Sequence, residues 1–568
     1  MLTKLTIRNF KLFDEVVIEL ADRVVFIGPN NSGKTSALQA LALWDIGAKR
    51  WVEKHGAGKI PEKRPGVTIN RRDLIAVPVP AANLLWRDLH TQKGGGNGGT
   101  QKINIEIVVE GITGGKKWES GFEFSYANAE SFYCRSLRLD EATRMEVPAG
   151  ASELRVAYLP PMSGLAATET RLDEGAIHVR LGEGRTADVL RNLCWHVLQG
   201  ADGQKKWETI AERMNALFGI DLDAPEYIKE RGEIIMSFRT REKIQLDISS
   251  SGRGQQQTLL LLAHMTMNPG AVLLLDEPDA HLEILRQGQI YQLLTETALA
   301  TGSQIVAASH SEVILNEAAD RDVVVAFVGR PHRIDDRGSQ VLKALKEIGF
   351  EHYYQAEEVG WVLYLEGSTD LACLRAFARR LDHPARAALE RPYVHYVANQ
   401  PRKAQDHFHG LREAKNDLVG LCIYDRLDSP LASDPYLPQQ MWRRRELENY
   451  LCQRTTLLSF AASQGNELGP LFSAARGEAM EAAIAEIEAA LSALGRPSPW
   501  GPDIKASDEF LEPLFKNFYE RLSLPNLMRK TDYHTLAPFV SAADLDPEVG
   551  EKLDLIVLAA SSACPRHD

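Results

Sequence analysis

In "WVLYLEGSTDL" an apolar run ends at Glu366, Gly367 turns the chain, and Asp370 opens a Leu/Ala/Phe-rich helical stretch. A second apolar run, "DLVGLCIYDRLDSP", also finishes in acids, Asp425 and Asp428. Carboxylates that leave separate buried strands side by side repel one another unless a cation lies between them, and hard divalent cations such as Mg²⁺ take oxygen ligands. The pattern predicts a metal site at strand ends, where open α/β sheets carry their ligands. Residues two apart share a strand face, so Asp425 follows directly, whereas Asp428, three residues on, joins it only if the strand has ended. Asp370 has a second reading, as a first-turn acid favoured by its helix dipole. Further on, "WRRRELENYL" sets Glu446 and Glu448 two apart, with Arg443 to Arg445 either contacting phosphates or forming a solvated charge run.

Near the N-terminus the chemistry is different. "GPNNSGKTS" places Gly28, Gly33, Lys34 and Thr35 in the GxxxxGK[ST] spacing, with Asn31 and Ser36 in the same stretch, between an apolar strand and a helix-forming segment. Glycines let backbone N–H groups turn in around phosphates, the helix N-terminus adds its positive end, Lys34 neutralises β/γ charge and Thr35 can ligate Mg²⁺. "AVLLLDEPDAHLE" then puts Asp276 and Glu277 after a continuous apolar strand, Asp276 suited to holding the metal's water shell and Glu277 to polarising the attacking water. "QIVAASHS" ends a further strand at His310, and "SSSGRGQQQTLLLLAHM" is a Ser/Gly turn leading into an apolar helix. This order resembles the ATP-binding cassette and structural-maintenance-of-chromosomes ATPases: phosphate loop, signature turn, acidic pair, switch histidine. The resemblance implies that Ser251, Gly252, Gly254 and Gln255 bind the γ-phosphate of ATP held by an opposite subunit, and hence a dimer. Gln92 and Gln101 are the candidates for that family's glutamine loop.

Positioning two such clusters takes more than one core. At 568 residues the chain predicts several domains. With 44% hydrophobic and 25% charged residues it reads as a soluble globular protein, and strand-like runs alternating with Leu/Ala-rich helical ones predict an α/β fold. No apolar run reaches the roughly 18 residues of a membrane span and the N-terminus lacks a signal-peptide pattern, so a cytoplasmic location is expected. The six cysteines contain no CxxC pair, which fits reduced packing residues better than a disulfide framework or a zinc site. A net charge of −12 argues against indiscriminate binding of polyanions but leaves room for a local basic surface. The expected organisation is a nucleotide-binding domain over 1–330, a linker over 331–358 and a second βα domain over 359–568. Three alternating stretches after the Gly94 to Gly99 break read as an antiparallel sheet inserted into the first domain. Residues 186–220 read as a helical hairpin, either core or a dimerising arm. No heptad run is present, which favours a compact head.

Strand-end glutamate followed by clustered aspartates resembles the Toprim fold of topoisomerases, primases and nucleases, although Asp-Arg-Leu-Asp is one residue longer than that fold's Asp-x-Asp pair. An ABC-type head followed by a Toprim domain resembles the OLD (overcoming lysogenization defect) family of nucleases, which includes the Gabija-type antiphage nucleases. "GPNNSGKTS", "YLPPMSGL", "SSSGRGQQQ", "LLLDEPDAHLE", "LYLEGSTDL", "RRELENYL" and "LMRKTDYHTLAPFV" occur in family order. The resemblance implies a homodimeric or higher ATP-binding nuclease acting on DNA with Mg²⁺, Mn²⁺ or Ca²⁺ at its metal site, and a possible helicase or other defence-system partner. It adds Asp508 as a metal ligand beside Glu366, Asp370, Asp425, Asp428 and Glu448, and Lys530 as a catalytic lysine. A rival reading is an ATP-driven DNA clamp or sensor whose second domain is inactive and works through a partner nuclease. A topoisomerase or primase is disfavoured, since neither a zinc-binding cysteine cluster nor a separate tyrosine-bearing cleavage domain is evident.

Overall fold

The structure is a computed structural model, and it describes residues 1–58, 66–71, 74, 76–94, 100–140, 143–319, 321–334, 348–464, 470–541 and 544–565. Most of the expected linker helix "SQVLKALKEIG" and of the glycine break lies outside the described residues. The chain divides into two compact units, Met1–Leu342 and Lys343–Asp568.

In the first unit the apolar runs form a parallel sheet in the order Val156–Leu159, Val272–Asp276, Gln304–Ser309, Arg23–Ile27, Val323–Ala326, with His332–Arg333 antiparallel at the edge. Val272–Asp276 and Gln304–Ser309 are buried at every position, as strands covered on both faces must be. The alternating stretches form a second, antiparallel sheet in the order Phe13–Glu19, Leu2–Phe10, Ile105–Thr113, Lys116–Asn128, Ser131–Ser136, Val67–Asn70. The expected insertion therefore extends the N-terminal hairpin instead of standing apart. Helix Lys34–His55 packs against both sheets in one apolar cluster, with Trp44 and Trp51 fully buried. The Gln304 amide locks the sheets together, its Oε1 accepting from Leu2 N at 2.7 Å and its Nε2 donating to Leu2 O at 2.8 Å and Ala21 O at 2.7 Å.

Of the two readings of residues 186–220, the structure shows the core. Helices Leu190–Gln199 and Gly203–Phe218 bury Leu193, Val197, Ile210 and Met214 in an apolar cluster shared with helix Arg253–Met267.

The second unit is built on four parallel strands in the order Val394–Tyr396, Trp361–Leu365, Val419–Tyr424, Gln439–Met441. From Trp361–Leu365 the chain moves to one side and then returns to pair on the other, so the strand order reverses between Trp361–Leu365 and Val419–Tyr424. The crevice beyond the carboxyl ends of these two strands is the topological switch point, where such sheets bind ligands. Helical elements from Arg454 onward join the strands' apolar face in a single cluster that includes Phe510, Phe515 and Phe518. Cys564 is exposed and the other five cysteines are buried, all as free thiols. No helix among the described residues is long and apolar enough to cross a membrane.

Candidate active sites

Strand Arg23–Ile27 delivers the chain into the phosphate loop, and its neighbours end at the same level: Ile27 pairs with Ser309, and Ala308 with Asp276. Gly28 and Gly33 adopt φ of 158° and 99°. A Cβ on Gly28 would lie 2.7 Å from Phe327 O and one on Gly33 2.9 Å from the Phe13 ring, so both positions require glycine. Asn31 is also left-handed, at φ 65°. Lys34 opens the helix and folds back over the loop, its Nζ donating to Gly28 O at 2.8 Å and Pro29 O at 2.6 Å. Burial lowers its pKa, opposed by Glu277 and Asp276. Ser32 Oγ is buried with no hydrogen-bond partner among the described residues. An ammonium held over ring-forming carbonyls and an orphaned hydroxyl are what a loop built around phosphate oxygens presents, so these residues fit a nucleotide.

Asp276 Oδ1 accepts from Thr35 Oγ1 at 3.0 Å and its Oδ2 from Tyr158 Oη at 3.1 Å. Burial pushes its pKa up to about 6, with the two hydroxyls pulling it back. Glu277 sits at φ 48°, its N–H donating to Ala308 O at 2.8 Å, and its Oε1 lies 3.9 Å from His310 Nδ1. The left-handed backbone turns Glu277 away from the strand direction, a strain of the kind that collects at functional sites. Thus Lys34, Thr35, Asp276, Glu277 and His310 gather at one sheet edge. Ser36 follows Thr35 in the helix's first turn. The signature turn closes locally: Ser251 Oγ donates to Ile248 O at 2.7 Å and Gly252 N to Gln255 Oε1 at 3.3 Å. Gly254 packs where a Cβ would meet Leu282 and His281 O at 3.0 and 3.1 Å. None of these described bonds reaches the phosphate loop of its own chain. Gln92 and Gln101 sit on facing strands of a small hairpin. Two further residues escaped the sequence reading. Tyr158 holds Asp276, and Asp279, its pKa raised by burial, keeps an unpartnered buried Oδ1 close to Glu277 and His310.

In the second unit, Glu366 and Asp425 leave the two strands that flank the switch point and share a hydrogen bond, which together with burial raises the Asp425 pKa strongly. Asn399, at φ 55° in the loop after Val394–Tyr396, spans them: its Nδ2 donates to Glu366 Oε2 at 2.7 Å and Asp425 Oδ2 at 3.4 Å, and its Oδ1 accepts from Asp425 N at 3.1 Å. Leu447 N donates to Asp425 Oδ1 at 3.2 Å. Asp370 takes the first-turn position of its second reading and also lies beside Glu366 and Asp425. It accepts from Glu366 N at 3.0 Å and Gly367 N at 3.4 Å, capping its helix, while burial and then Glu366 push its pKa up to about 6. Glu448 is buried, and desolvation followed by Glu446 pushes it up to about 8. Four mutually repelling carboxyls with oxygen donors only are a set that fits a hard divalent cation.

Asp428 does not join them. Strand pairing ends at Tyr424, the chain runs out as loop, and the Asp428 side chain is 92% exposed, bonded to Arg445 at 3.3 Å. Asp508 stands at the rim between two lysines: Lys505, in a short contact, and Lys530 at 2.9 Å. The Lys505 bond, ahead of Lys530, lowers the Asp508 pKa to about 2. Burial works against the Lys530 charge, but its bond to Asp508 together with the charges of Asp508 and Glu446 outweighs this and raises its pKa. Lys530 acts on Glu446 and Glu448, and Lys505 responds to Glu446 and Glu366, so both cations lie within electrostatic range of the crevice. Sequence reading missed Lys505 and Asn399; the only local signal was the i,i+3 spacing of Lys505 and Asp508. Arg443, Arg444 and Arg445 are each paired with an acid, Glu551, Asp546 and Asp428, which favours the solvated charge run over phosphate contacts.

The comparisons fall on the first unit. A family described as "AAA ATPase domain" matches residues 1–45, and one described as "AAA domain, putative AbiEii toxin, Type IV TA system" matches residues 212–316. No curated protein matches the chain. Solved structures that align with it include the SmcHead bound to the C-winged helix domain of ScpA (13% identity, 59% of this chain and 97% of that one, TM-score 0.36). Others are the SMC head domain from Thermotoga maritima (15%, 59% and 98%, TM-score 0.29) and a Pyrococcus furiosus Smc head with an extended coiled coil bound to the C-terminal domain of ScpA (13%, 61% and 99%, TM-score 0.36). The first family match carries the phosphate loop and the second the signature turn, acidic pair and switch histidine, so the N-terminal unit is an ATPase domain of the AAA type.

Proposed function

We propose that the chain is an ATP-binding, divalent-metal-dependent DNA nuclease of the OLD type, serving antiphage defence as a homodimer or larger assembly. The observation that carries this reading is the convergence of Glu366 and Asp425 at the switch-point crevice, with Asp370 and Glu448 in electrostatic range and Lys530 at the rim. Glu366, Asp370, Asp425 and Glu448 would hold Mg²⁺ or Mn²⁺, which when bound supplies charge neutralisation at the scissile phosphate and an acidified water. Asn399 orients Glu366 and Asp425 by donating to both. Lys530, and Lys505 beside it, would place positive charge where the phosphorane's oxygens gain negative charge, a contribution made mainly in the transition state. In the first unit Lys34 and the loop N–H groups would bind the β/γ-phosphates, Thr35 and Asp276 the Mg²⁺, and Glu277, paired with His310, would orient water. The locally closed signature turn is compatible with completion of the site by a second head.

The test is plasmid cleavage with Mg²⁺ or Mn²⁺ by wild type and Glu366→Ala. Nicking or linearisation lost in the variant supports the nuclease; no metal-dependent cleavage of any DNA by wild type overturns it. The exposed Asp428 and the lysine-bound Asp508 favour a second reading, an ATP-driven DNA clamp that works through a partner nuclease. That reading predicts DNA-stimulated ATP hydrolysis without cleavage.

A further inference from the structure

Apart from the carboxylates, three histidines on three elements of the second unit meet: His352 on helix Phe350–Val359, His395 on strand Val394–Tyr396 and His407 on helix Pro401–Ala414. We propose that His352, His395 and His407 form a binding site for one transition-metal ion of the zinc class. The proposal does not rest on the nuclease reading.

One potential ligand nitrogen from each ring lies within 4.8 Å of the other two. A tetrahedral site with zinc–nitrogen bonds of about 2.0–2.1 Å spaces its nitrogens by roughly 3.4 Å, so ligation draws the nitrogens together and tilts the His395 and His407 rings out of their stack until their in-plane lone pairs meet at one ion. The rings of His395 and His407 are stacked at 3.8 Å and 6°, and His352 stands perpendicular to both at 5.0 Å. His407 is 9% exposed, and its Nε2 is buried with no hydrogen-bond partner among the described residues. Its Nδ1 is bonded to Tyr364 Oη at 2.8 Å, and Nδ1 of His352 is bonded to Tyr393 Oη at 3.0 Å.

The tautomer decides what this arrangement is for. If Tyr364 donates to Nδ1, then Nε2 of His407 carries a buried proton with nothing among the described residues to accept it, which is unfavourable. If Nδ1–H donates to Tyr364, Nε2 presents a lone pair into the cluster, and a metal satisfies it. An outer-shell hydrogen bond at the second ring nitrogen is also the usual companion of a ligating histidine. Burial, and then the neighbouring imidazoles, hold the pKa of His407 near 3; burial followed by His352 holds that of His395 near 4. Both rings are therefore neutral and able to ligate at physiological pH. Three imidazoles without a carboxylate select Zn²⁺, Co²⁺ or Ni²⁺ over Mg²⁺. Such an ion would tie together the two helices and the strand whose following loop carries Asn399.

The test titrates the full-length chain bearing Asp425→Asn, which weakens the carboxylate site, with Co²⁺ and then with Zn²⁺ as competitor. One Co²⁺ per chain with visible d–d bands, displaced by Zn²⁺, is expected. His352→Gln, on a partly exposed helix face, and His407→Ala should weaken it at least 100-fold, and Tyr364→Phe by about 10–100-fold. Hyperfine-shifted imidazole N–H resonances in the Co²⁺-loaded chain give a readout without mutating the histidines. Absence of a Co²⁺ spectrum, absence of shifted imidazole protons, or an unchanged affinity in folded His352→Gln each overturns the site.

Discussion

Asp276 closes one buried parallel strand and Asp425 directly follows another, yet their surroundings differ. Asp276 is met by two hydroxyls, Thr35 and Tyr158, and by the charge of Lys34, all supplied by its own unit. Asp425 is met by another acid, an amide and a backbone N–H, while the nearby lysines are engaged with Asp508. The first site moderates its acid internally; the second concentrates acids whose repulsion an outside cation would relieve. This contrast separates a loop organised to receive an anion from a crevice organised to receive a cation.

The sharpest way to break the comparison is to mutate each centre and read both activities. Glu366→Ala should lower cleavage by roughly 10³-fold or more, beyond the loss typical of a single charge-stabilising donor, and leave ATP hydrolysis unchanged. Glu277→Gln should instead slow ATP hydrolysis while keeping nucleotide binding. Equal loss of both activities in Glu366→Ala would mean that the units do not hold separate chemistries.

Next in size, Lys530→Ala should cost about 10²- to 10³-fold in cleavage with an unaltered metal titration, because a cation acts on the oxyanion and not as a metal ligand. A shifted metal midpoint would reassign Lys530 to holding Asp508 in place.

A smaller effect is expected from pH. Asp370 and Glu448 titrate near 6 and 8, above their unfolded values, so in metal-free protein their neutral forms favour folding below about pH 4. That contribution disappears as pH rises through 6 and then 8. Binding of Mg²⁺ requires the charged forms, so the rise in melting temperature on adding Mg²⁺ should grow from pH 6 to pH 8.5. Calorimetry at a series of pH values checks it; a pH-independent Mg²⁺ shift would show that these two acids are not part of the cation site. Smallest of all, Asp428→Ala should alter cleavage by less than about threefold, as expected of an exposed surface charge, and a larger loss would place it back among the ligands.

The sequence revealed what adjacent residues decide. The phosphate loop is a contiguous backbone turn, and its glycines, lysine and threonine could be read without knowing the fold. Glu366 and Asp425 were legible because each follows an apolar run, and a parallel sheet aligns such ends. Asp428 was left conditional on the strand ending before it; the strand does end at Tyr424, but the loop turns the exposed Asp428 side chain out to Arg445, which spacing alone cannot show. Asn399 was invisible, since its contacts arise from the loop after Val394–Tyr396, and Lys505 showed only its i,i+3 spacing to Asp508, which does not say that it comes within range of Glu446 and Glu366. The histidine trio was hidden for the same reason, with its members spread from 352 to 407. In the region 186–220, periodicity identified the helices but not what covers them.

The lock made by Gln304 also bears on how the chain is synthesised. The N-terminal strand depends on a side chain encoded 302 residues later, and the parallel sheet to which the strand from Gln304 belongs needs strands as distant as Arg23–Ile27 and Val323–Ala326. At roughly 5–20 residues per second, the ribosome exposes Leu2–Phe10 well before that partner emerges. A nascent chain shorter than this holds apolar edges without their neighbours, a state in which chaperone capture competes with aggregation. The four-stranded sheet of the second unit, by contrast, is complete once Met441 is out, only some eighty residues after its first strand begins.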